Sequence, residues 1–479
     1  MMRRILLLAL PVCTSATLAG QVSDGRAVMA SIDAKAKIYS DVALKIWSFA
    51  EVGYQETRSS ALLQEQLKGA GFAVTAGVAE IPTAFVATWG SGKPVIGIVG
   101  EFDALPGLSQ AASPARRPLV DNGPGHGCGH HLFGTASTAA AIAVKEWLGM
   151  SKRSGTIKFF GTPAEEGGSG KVYMLRAGLF DDVDAVVAWH PADRNMVSAS
   201  SSLANVTAKF RFRGVSAHAS VSPHRGRSAL DGVEAMDAMV NMMREHVPSD
   251  ARIHYVITNG GQAPNVVPDF AEVYYYARHN DMRVLDGIWE RIVNAARGAA
   301  LGTETKMEID ITGAVWNVLP NQYLATVMHT HLETVGGYEY TPAEREFGDA
   351  LRKTLEGPLP SMDTANQVLP PQPGLTGTAS TDMGDVSWRV PTVQLNAATW
   401  VPGTPAHSWQ AVAAGGMSIG TKGMFVAAKT MALTAIDLLS NPAHIQRARA
   451  EFDKSRGPDF QYTTRLADRK PALDYRKNP

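Results

Sequence analysis

Two kinds of apolar pattern alternate along the chain: segments with helical spacing of apolar residues, and short runs that are uniformly apolar. Helical spacing of apolar residues predicts amphipathic helices at residues 41–49 and 57–70, and an Ala-rich helix at 135–147. Uniformly apolar runs predict buried strands at residues 85–89, 95–99, 156–161 and 185–189. Strands that alternate with helices in this way indicate an α/β domain with helices on the faces of its sheet.

The pattern changes near residue 205, which predicts an inserted α+β domain over residues 205–319. Strand-like runs at 206–212, 254–258 and 272–277 alternate there with helix-like runs at 226–245 and 284–301. The α/β domain would then comprise residues 21–204 and 320–440, with a last strand at 392–397. Residues 441–479 are polar and contain prolines, so we expect a tail that wraps the surface.

The densest group of candidate ligands is the segment GHGCGHH, residues 125–131. Its glycines let the backbone fold close around an ion. Cys128 and His130 stand two residues apart, so their side chains can converge on one face of an extended segment. A thiolate and a neutral imidazole are both good ligands for zinc-like cations. The alternative is a flexible histidine-rich loop or a buried structural histidine.

Carboxylates and further histidines lie at the ends of predicted strands, where α/β sheets gather their ligands. They are Glu101 and Asp103 after strand 95–99, Glu165 and Glu166 after strand 156–161, His190 at the end of strand 185–189, and His407 after strand 392–397. Alone, the glutamate pair would be a solvated turn and each histidine a structural residue. Together with Cys128 and His130, the residues Glu166, His190 and His407 make five ligands, enough for two ions that share a bridging group. Glu165 can then act as a general base toward water that a metal acidifies.

Length and composition are those of a soluble globular enzyme with two domains: 479 residues, 45% hydrophobic and 19% charged. The 45 basic and 45 acidic residues cancel, and no basic run is interleaved with aromatic residues. Nothing in the charge pattern favours a nucleic acid as a partner.

The first 20 residues have the pattern of a secretory signal peptide. Two arginines precede the apolar run 5–12, and small residues follow, with cleavage expected near Ala19 or Gly20. The apolar run is far shorter than the roughly 20 residues of a membrane span, and no later run is uniformly apolar over that length. We therefore expect export to the periplasm or the medium, without a membrane span.

The two cysteines, Cys13 and Cys128, bear on this expectation. Cys13 would leave with the signal peptide, so the mature chain could form no internal disulfide. A lone thiol in an oxidising compartment is a liability unless it is buried or metal-bound, which favours the ligand role of Cys128. A lipoprotein signal at Cys13 is the alternative, although Pro11 and Val12 stand where small residues are normally required.

Seven segments, in order between roughly residues 30 and 440, resemble one family. The chain is similar to the amidohydrolase branch of the aminoacylase and carboxypeptidase G metallopeptidases in the segments GEFDALPGLSQ, GHGCGHH, EEGGSGKVYMLRAGLFDDVDAVVAWHP, GVSAHAS, NVVPDFAEVYYYAR, STDMGDVSW and GTPAHSW. The resemblance implies a three-layer α/β/α, zinc-exopeptidase-like catalytic domain. It also implies that the inserted α+β domain is ferredoxin-like and serves for dimerisation and as a lid.

The resemblance also implies a role for each matching residue. Glu165 would be the general base, and the metal ligands would be Cys128, His130, Glu166, His190 and His407, the same set that the residues themselves suggest. His218 and Asn265 of the inserted domain would reach the substrate, often in the site of the partner subunit. Arg278 would bind a substrate carboxylate with two hydrogen bonds. A structural salt bridge is the alternative for Arg278.

Two positions depart from the pattern of the family. His131 stands where the branch usually has Asp, so its support of the metal loop is not the conventional contact of an acid with an imidazole. Glu101 stands where many relatives have the His of a His-x-Asp segment, which makes Asp103 a support for a ligand rather than a ligand. His126, His224 and Asp382 would line the cleft without binding a metal.

The implied activity is metal-assisted hydrolysis of the amide bond in N-aroyl or N-acyl amino acids, with p-aminobenzoyl-glutamate as the leading substrate. Two divalent ions would bind, and the thiolate favours zinc over manganese. Glu165 would take the proton of the water, and a metal and His218 would stabilise the oxyanion. The expected assembly is a homodimer, with an A-type partner subunit as an open alternative.

Other functions remain open. A dipeptidase or carboxypeptidase would use the same metals, and a hydrolase that detoxifies an aroyl-amino-acid toxin would fit export. A non-catalytic binding protein with this fold would have lost Glu165 or a ligand, whereas this chain retains all six positions. A structural zinc site is disfavoured because such sites use four Cys and His ligands without a spare carboxylate.

Overall fold

The computed structural model describes residues 14–477, with side chains from residue 24 onward. Residues 1–13 of the predicted signal peptide, including Cys13, lie outside the described residues. Residues 14–20 belong to the first helix, α1 (Thr14–Ala34).

The larger sheet has eight strands, and its middle is parallel. Their order across the sheet is β1 (Ala73–Ala76), β2 (Phe85–Ser91), β4 (Gly155–Gly161), β3 (Val95–Gly100), β5 (Ala185–Ala192), β12 (Thr392–Ala398), β6 (Asn195–Ser198) and β11 (Val368–Leu369). Strand β3 pairs in parallel with both β4 and β5, and β12 pairs in parallel with β5. Every residue of β3 is buried, as expected for a central strand covered on both faces.

Helices cover both faces of this sheet. One face carries α1, α2 (Ala36–Phe49), α3 (Thr57–Gly69), α4 (His130–Ser151), α8 (Gln322–Val335) and α12 (Ser418–Ser440). The other face carries α5 (Gly170–Arg176) and α10 (Met383–Arg389). Two further helices, α9 (Pro342–Arg352) and α11 (Trp409–Gly415), pack together in a smaller apolar cluster. The sheet and its two helical layers have the predicted α/β/α arrangement.

The smaller sheet has four antiparallel strands. Their order is β10 (Lys306–Val315), β7 (Ala204–Arg213), β9 (Phe270–His279) and β8 (Arg252–Asn259). Helices α6 (Ala229–Met243) and α7 (Met282–Gly302) pack together against it. The chain order β-α-β-β-α-β with this strand order is the ferredoxin-like arrangement. The division of the chain at residues 205 and 319 stays a prediction.

The residues predicted as a polar tail begin with a helix, α13 (Pro442–Arg456). Residues 457–477, which we call the strap, then contact helices that pack on each of the two sheets. The Tyr462 hydroxyl donates to Asp385 of α10 at 2.7 Å, and Arg465 pairs with Asp286 of α7. Leu466 is almost completely buried. The strap is therefore packed into the protein as well as running over its surface.

In the described part of the chain, α12 is the one helix long and apolar enough to cross a membrane. However, 78% of its most apolar window is buried against the rest of the protein. That burial is typical of a core helix.

Candidate active site

The candidate ligands meet at one edge of the larger sheet. The carboxyl ends of β3, β4, β5 and β12 lie side by side because these four strands are parallel. Glu101 and Asp103 follow β3, Glu165 and Glu166 follow β4, and His407 follows β12. His190 lies within β5, which continues two residues beyond it to Ala192. Ligands gather at such an edge in α/β proteins.

Gly129 brings the metal-ligand segment close to β5. It precedes α4 in the left-handed region, with a φ of 77°, and a Cβ there would lie 2.7 Å from Cβ of Pro191. Both the dihedral angle and the close approach require glycine. As a result, His130 begins α4 beside His190, with ring centroids 5.8 Å apart.

Cys128, His130 and His190 form a first group, in which one ligand atom of each lies within 4.8 Å of the others. Cys128 Sγ is 3.4 Å from His190 Nε2. His190 Nδ1 donates to the Pro191 carbonyl at 2.7 Å, and His130 Nδ1 donates to Asp103 at 2.8 Å. Each hydrogen bond leaves the lone pair of Nε2 free for a cation.

Cys128, Glu166 and His407 form a second group by the same distance criterion. His407 Nε2 lies 3.1 Å from Glu166 Oε1. The backbone of His407 has a φ of 57° and donates its N–H to the Gly127 carbonyl at 2.9 Å. The hydrogen bond joins the His407 loop to the GHGCGHH segment. The left-handed backbone of His407 costs conformational energy, which the surrounding contacts must offset. Since Cys128 belongs to both groups, its sulfur is positioned to be shared.

Glu101, His130 and Glu165 form a third group, in which Glu101 was not predicted as a ligand. Glu101 Oε2 lies 3.0 Å from His130 Nε2. Its other oxygen pairs with Lys171 at 2.7 Å, and Lys171 also pairs with Asp382 at 2.6 Å. All three side chains of this ion network are buried. Sequence reasoning missed Lys171, because lysine is rarely buried and its pairing with two carboxylates is visible only in the fold.

The residues present fit a divalent metal ion. Three of their ligand atoms, Glu101 Oε2, His130 Nε2 and Glu166 Oε1, are buried without a hydrogen bond among the described residues. Buried polar atoms normally have a partner, and a cation would provide one. A thiol, imidazoles and carboxylates in this combination suit a cation of intermediate softness.

The electrostatics of the cluster also favour a bound cation. Burial, followed by the charge of Glu166, raises the pKa of the Cys128 thiol above its usual range. Burial and the neighbouring His130 lower the pKa of His190 to about 4, which keeps this imidazole neutral. Burial, with Glu101, Glu166 and Asp382, raises the pKa of Glu165 well above its usual range. A carboxyl group with a raised pKa can hold a proton near neutral pH.

The two predicted supporting residues differ in their contacts. Asp103 accepts from His130 Nδ1 and also from the backbone N–H of Glu166 at 2.9 Å, so it supports two candidate ligands. His131 Nε2 instead hydrogen-bonds the Gly415 carbonyl at 3.0 Å. Burial and the nearby His126 lower the pKa of His131 well below its usual range. His131 therefore contacts the end of α11, and its ring makes no hydrogen bond to a candidate ligand among the described residues. Its expected support of the metal loop stays a prediction.

A cavity of about 470 Å³ lies between the ligand cluster and the smaller sheet. Glu165, Glu166, Asp382 and His407 line one side, and Tyr274, Tyr276 and Arg278 of β9 line another. These three β9 residues share a face because side chains alternate along a strand. The two tyrosines were missed, although their spacing from Arg278 is visible in the sequence. Among the described residues Arg278 has no ion-pair partner, and its hydrogen bond goes to Ser380 at 3.4 Å.

His218 and Asn265 do not line this cavity. Both are exposed and adjacent, since the N–H of Ala219 donates to the Asn265 carbonyl at 3.0 Å. His218 Nδ1 accepts from the N–H groups of Ser220 and Val221, each at 3.3 Å. The ring proton is therefore on Nε2, for which the described residues provide no acceptor. Their role toward a substrate stays a prediction.

Two further histidines expected in the cleft lie elsewhere. His126 is buried and hydrogen-bonds the Ile46 carbonyl of α2 at 3.1 Å, so it packs behind the cluster. His224 is exposed in a short turn of the smaller domain. Neither lines the cavity, whereas Asp382 does, as expected.

The profile of the family described as Peptidase family M20/M25/M40 matches residues 97–411, a range that contains the whole ligand cluster. The chain belongs to this family. Membership confirms the predicted enzyme class, a metallo-amidohydrolase, and the predicted resemblance.

Relatives of this M20 chain cover most of its length. It is 43% identical over 450 residues to the B-type subunit of p-aminobenzoyl-glutamate hydrolase from Escherichia coli (strain K12), which covers 88% of this chain and 94% of that protein. It is 28% identical over 437 residues to the Xaa-Arg dipeptidase of Mus musculus, covering 88% and 90%. A Bacillus subtilis structure described as a dinuclear metal-binding peptidase of the M20 family aligns with a TM-score of 0.58 at 17% identity, covering 85% and 99%. This likeness confirms the predicted fold class.

Proposed function

We propose that this M20 enzyme hydrolyses the amide bond of N-aroyl and N-acyl amino acids, with p-aminobenzoyl-glutamate as the leading substrate. The observation that carries the proposal is the cavity in which Glu165, the candidate ligands Glu166 and His407, and Arg278 face one space. The relative of 43% identity is one of the chains of a p-aminobenzoyl-glutamate hydrolase, which supports this substrate. The products would be an aromatic acid and an amino acid with its carboxylate free.

Cys128, His130, Glu166, His190 and His407 would hold two divalent ions. The thiolate favours zinc, with manganese as the alternative. The Bacillus subtilis neighbour, a dinuclear metal-binding peptidase, supports the number of ions. When bound, such ions polarise the amide carbonyl and lower the pKa of water toward neutrality.

Glu165 would act as the general base and then as the general acid. It takes a proton from the attacking water and passes it to the leaving amide nitrogen. Its burial beside Glu101, Glu166 and Asp382 favours the protonated form that this second step needs. Lys171 offsets part of the negative charge around Glu165 by pairing with Glu101 and Asp382.

The wall of β9 would bind the two ends of the substrate. Tyr274 and Tyr276 offer aromatic faces to an aroyl group, since aromatic rings favour stacked or edge contacts. Arg278 lacks an ion-pair partner among the described residues, so its guanidinium is free to bind a carboxylate with two hydrogen bonds.

We further propose a homodimer in which His218 and Asn265 act in the site of the partner subunit. Both residues are exposed outside the cavity of their own chain, and Nε2 of His218 is a free donor for a developing oxyanion. An assembly with an A-type subunit is the alternative, since the relative of 43% identity is the B-type subunit of its enzyme.

Export remains a proposal that rests on the pattern of residues 1–20. An exported hydrolase would scavenge or detoxify external aroyl amino acids rather than recycle a cytoplasmic compound. Fractionation of cells that express the full chain tests this, and retention of an uncleaved chain in the cytoplasm would contradict it.

The decisive experiment measures hydrolysis of a panel of N-aroyl and N-acyl amino acids, including p-aminobenzoyl-glutamate, by protein that begins at Gln21 with zinc or manganese added. Glu165→Gln is expected to lower kcat by about 100- to 10 000-fold, because it removes the general base. The matched control is Glu308→Gln on β10, where Glu308 forms an exposed ion pair with Arg213 of β7. This variant is expected to keep full activity.

Metal content is measured for each protein in parallel. Loss of activity in Glu165→Gln with two ions still bound is the expected result. Full activity of Glu165→Gln would contradict its role, and failure of the wild type on the whole panel with both ions bound would contradict the proposed function.

A dipeptidase or carboxypeptidase is the second candidate, favoured by the 28% identity with an Xaa-Arg dipeptidase. Dipeptides with a carboxy-terminal arginine, added to the panel, separate the two. Arg278 on the cavity wall should repel a basic substrate side chain, so we expect aroyl amino acids to be cleaved faster.

A further inference from the structure

The end of the strap reaches the cavity of the candidate active site. Arg476 lines the cavity together with Glu165, Glu166 and Arg278. Its Nη2 donates to the Glu166 carbonyl at 2.9 Å, and the Tyr475 hydroxyl donates to the same carbonyl at 3.0 Å. A cation from the far end of the chain is thus held one residue from the proposed general base.

Contacts with the rest of the protein hold the strap in place on the way to Arg476. Gln55 donates to the Leu473 carbonyl at 2.6 Å, and Arg176 donates to the carbonyls of Ala467 and Arg469. The ring of Tyr475 packs edge-on against Tyr54, with centroids 5.6 Å apart. These contacts position the Arg476 guanidinium, so little conformational entropy remains to be lost when it binds a ligand.

Arg476 has unused hydrogen-bonding capacity. Its Nε is buried without a partner among the described residues, and no described carboxylate lies within ion-pair distance of its guanidinium. Arg278, on the same cavity, also lacks an ion-pair partner there. Both guanidinium groups line the same cavity as Tyr276. The cavity therefore presents two guanidinium groups that have no ion-pair partner among the described residues.

We propose that Arg476 is a specificity-determining residue that binds one carboxylate of the substrate while Arg278 binds a second. The cavity then selects N-aroyl derivatives of acidic amino acids, such as glutamate, over those of neutral ones. Each guanidinium can make paired hydrogen bonds to a carboxylate, and a fixed cation in a partly enclosed cavity discriminates strongly against an uncharged amide. The inference rests on the proposed amide hydrolase function and names the substrate class of the same site.

The competing role for Arg476 is structural, as a clamp on the Glu166 carbonyl. A clamp would act on every substrate alike through the position of Glu166. A carboxylate-binding residue acts only on substrates that carry its carboxylate. Three compounds separate these roles: 4-aminobenzoyl-glutamate, 4-aminobenzoyl-glutamine, and the α-amide of 4-aminobenzoyl-glutamate.

The test compares kcat and KM of the wild type and Arg476→Gln on these three compounds. The wild type should prefer the diacid to both monoamides. Arg476→Gln should lower kcat/KM for the diacid by about 10- to 100-fold, mainly through KM, since a charge-assisted contact is lost. For the monoamide that lacks the carboxylate bound by Arg476, kcat/KM should change by less than about twofold in the same variant. Arg476→Lys should restore part of the preference for the diacid.

Two control variants lie beside Arg476. Lys477→Gln removes an exposed cation and should leave all three compounds unaffected. Tyr475→Phe removes one donor to the Glu166 carbonyl and should change all three by the same small factor. A uniform fall in kcat/KM across the three compounds in Arg476→Gln would overturn the proposal in favour of the clamp. No fall for any compound would overturn the proposal and the clamp alike.

A binding measurement keeps the inference separate from the proposed function. Calorimetry in the Glu165→Gln background gives Kd for each compound without turnover. The diacid should bind more tightly than either monoamide, and adding Arg476→Gln should remove that preference. If the wild type hydrolyses none of the compounds but this binding pattern holds, the proposed reaction fails and the carboxylate site stands. Equal Kd values for the three compounds would overturn the site itself.

Discussion

Asp103 joins two loops of the candidate site through one buried carboxylate. One oxygen accepts from His130 Nδ1 at 2.8 Å, and the other accepts from the N–H of Glu166 at 2.9 Å. The first bond fixes the tautomer of a candidate ligand, and the second fixes the backbone of another. Residues in this position commonly set metal affinity without touching the ion.

Asp103→Asn should lower zinc affinity by about 10- to 100-fold, because one amide oxygen cannot accept both hydrogen bonds. Competition with a chromogenic chelator gives Kd, and kcat is measured at saturating zinc. The matched control is Asp41→Asn on α2, whose carboxylate pairs with Lys37 at the surface. An unchanged Kd for Asp103→Asn would remove Asp103 from the support of the metal centre.

At the scale of residues, the sequence predicted which side chains come together because their segments lie at the same edge of the parallel sheet. The convergence of Cys128, Glu166 and His407 followed from segments that end parallel strands, and the structure brings them within 4.8 Å of one another. Arg476 could not be predicted, because its place depends on how a polar segment packs. The contact of His131 with the Gly415 carbonyl of α11 could not be predicted either, because it depends on how α4 and α11 pack.

Helix α10 is held in place by one buried acid, which connects three elements. Asp385 accepts the backbone N–H of Trp316, just after β10, at 3.0 Å and the Tyr462 hydroxyl of the strap at 2.7 Å. Burial raises the pKa of Asp385 to about 7. A carboxyl group whose pKa is higher in the folded state binds more protons there, so its contribution to stability falls as pH rises.

The contribution of Asp385 to the free energy of unfolding should therefore decrease between about pH 4 and pH 7. Relative to the wild type, Asp385→Asn should lack about 2–4 kcal/mol of that decrease. The asparagine can accept from the Trp316 N–H and donate to the Tyr462 oxygen, so the network survives. Urea unfolding at several pH values measures the effect, with Asp349→Asn on the exposed face of α9 as control. Parallel pH profiles of Asp385→Asn and wild type would contradict the assignment.

At the scale of elements, segments with many buried apolar residues were predicted well, and half-exposed segments were missed. The strand expected at residues 95–99 is observed as Val95–Gly100, and the helix expected at 284–301 as Met282–Gly302. Helix α13 was missed because it buries only two side chains, Ala448 and Phe452. Strand β10 was missed despite the alternation of Met307, Ile309 and Ile311, a period-two signal of a half-exposed strand.

At the scale of the whole molecule, one outer strand of the smaller sheet is largely exposed. Strand β8 pairs with β9 alone, and its exposed side chains include Val256 and Ile257. An exposed apolar edge strand is an aggregation hazard unless another chain covers it. This edge supports the proposed homodimer, in which His218 and Asn265 would reach the cavity of the other subunit.

Complementation between two inactive variants tests that arrangement. His218→Ala leaves the cavity of its own chain intact, and Glu165→Gln leaves His218 intact, so each homodimer lacks one residue at both sites. A mixed dimer would have one complete site if His218 acts in the partner subunit. Random reassociation of equal amounts should then restore about a quarter of the wild-type activity, since half of the dimers are mixed and each has one complete site.

The outcome depends only on which chain supplies His218. If His218 acts within its own chain, each site of a mixed dimer lacks one residue, and the mixture stays as inactive as its components. Equilibrium sedimentation of each variant shows whether dimers form at all, so a monomeric wild type would contradict the dimer without reference to activity. If an A-type subunit covers β8 instead, a dimer should form only when that subunit is added.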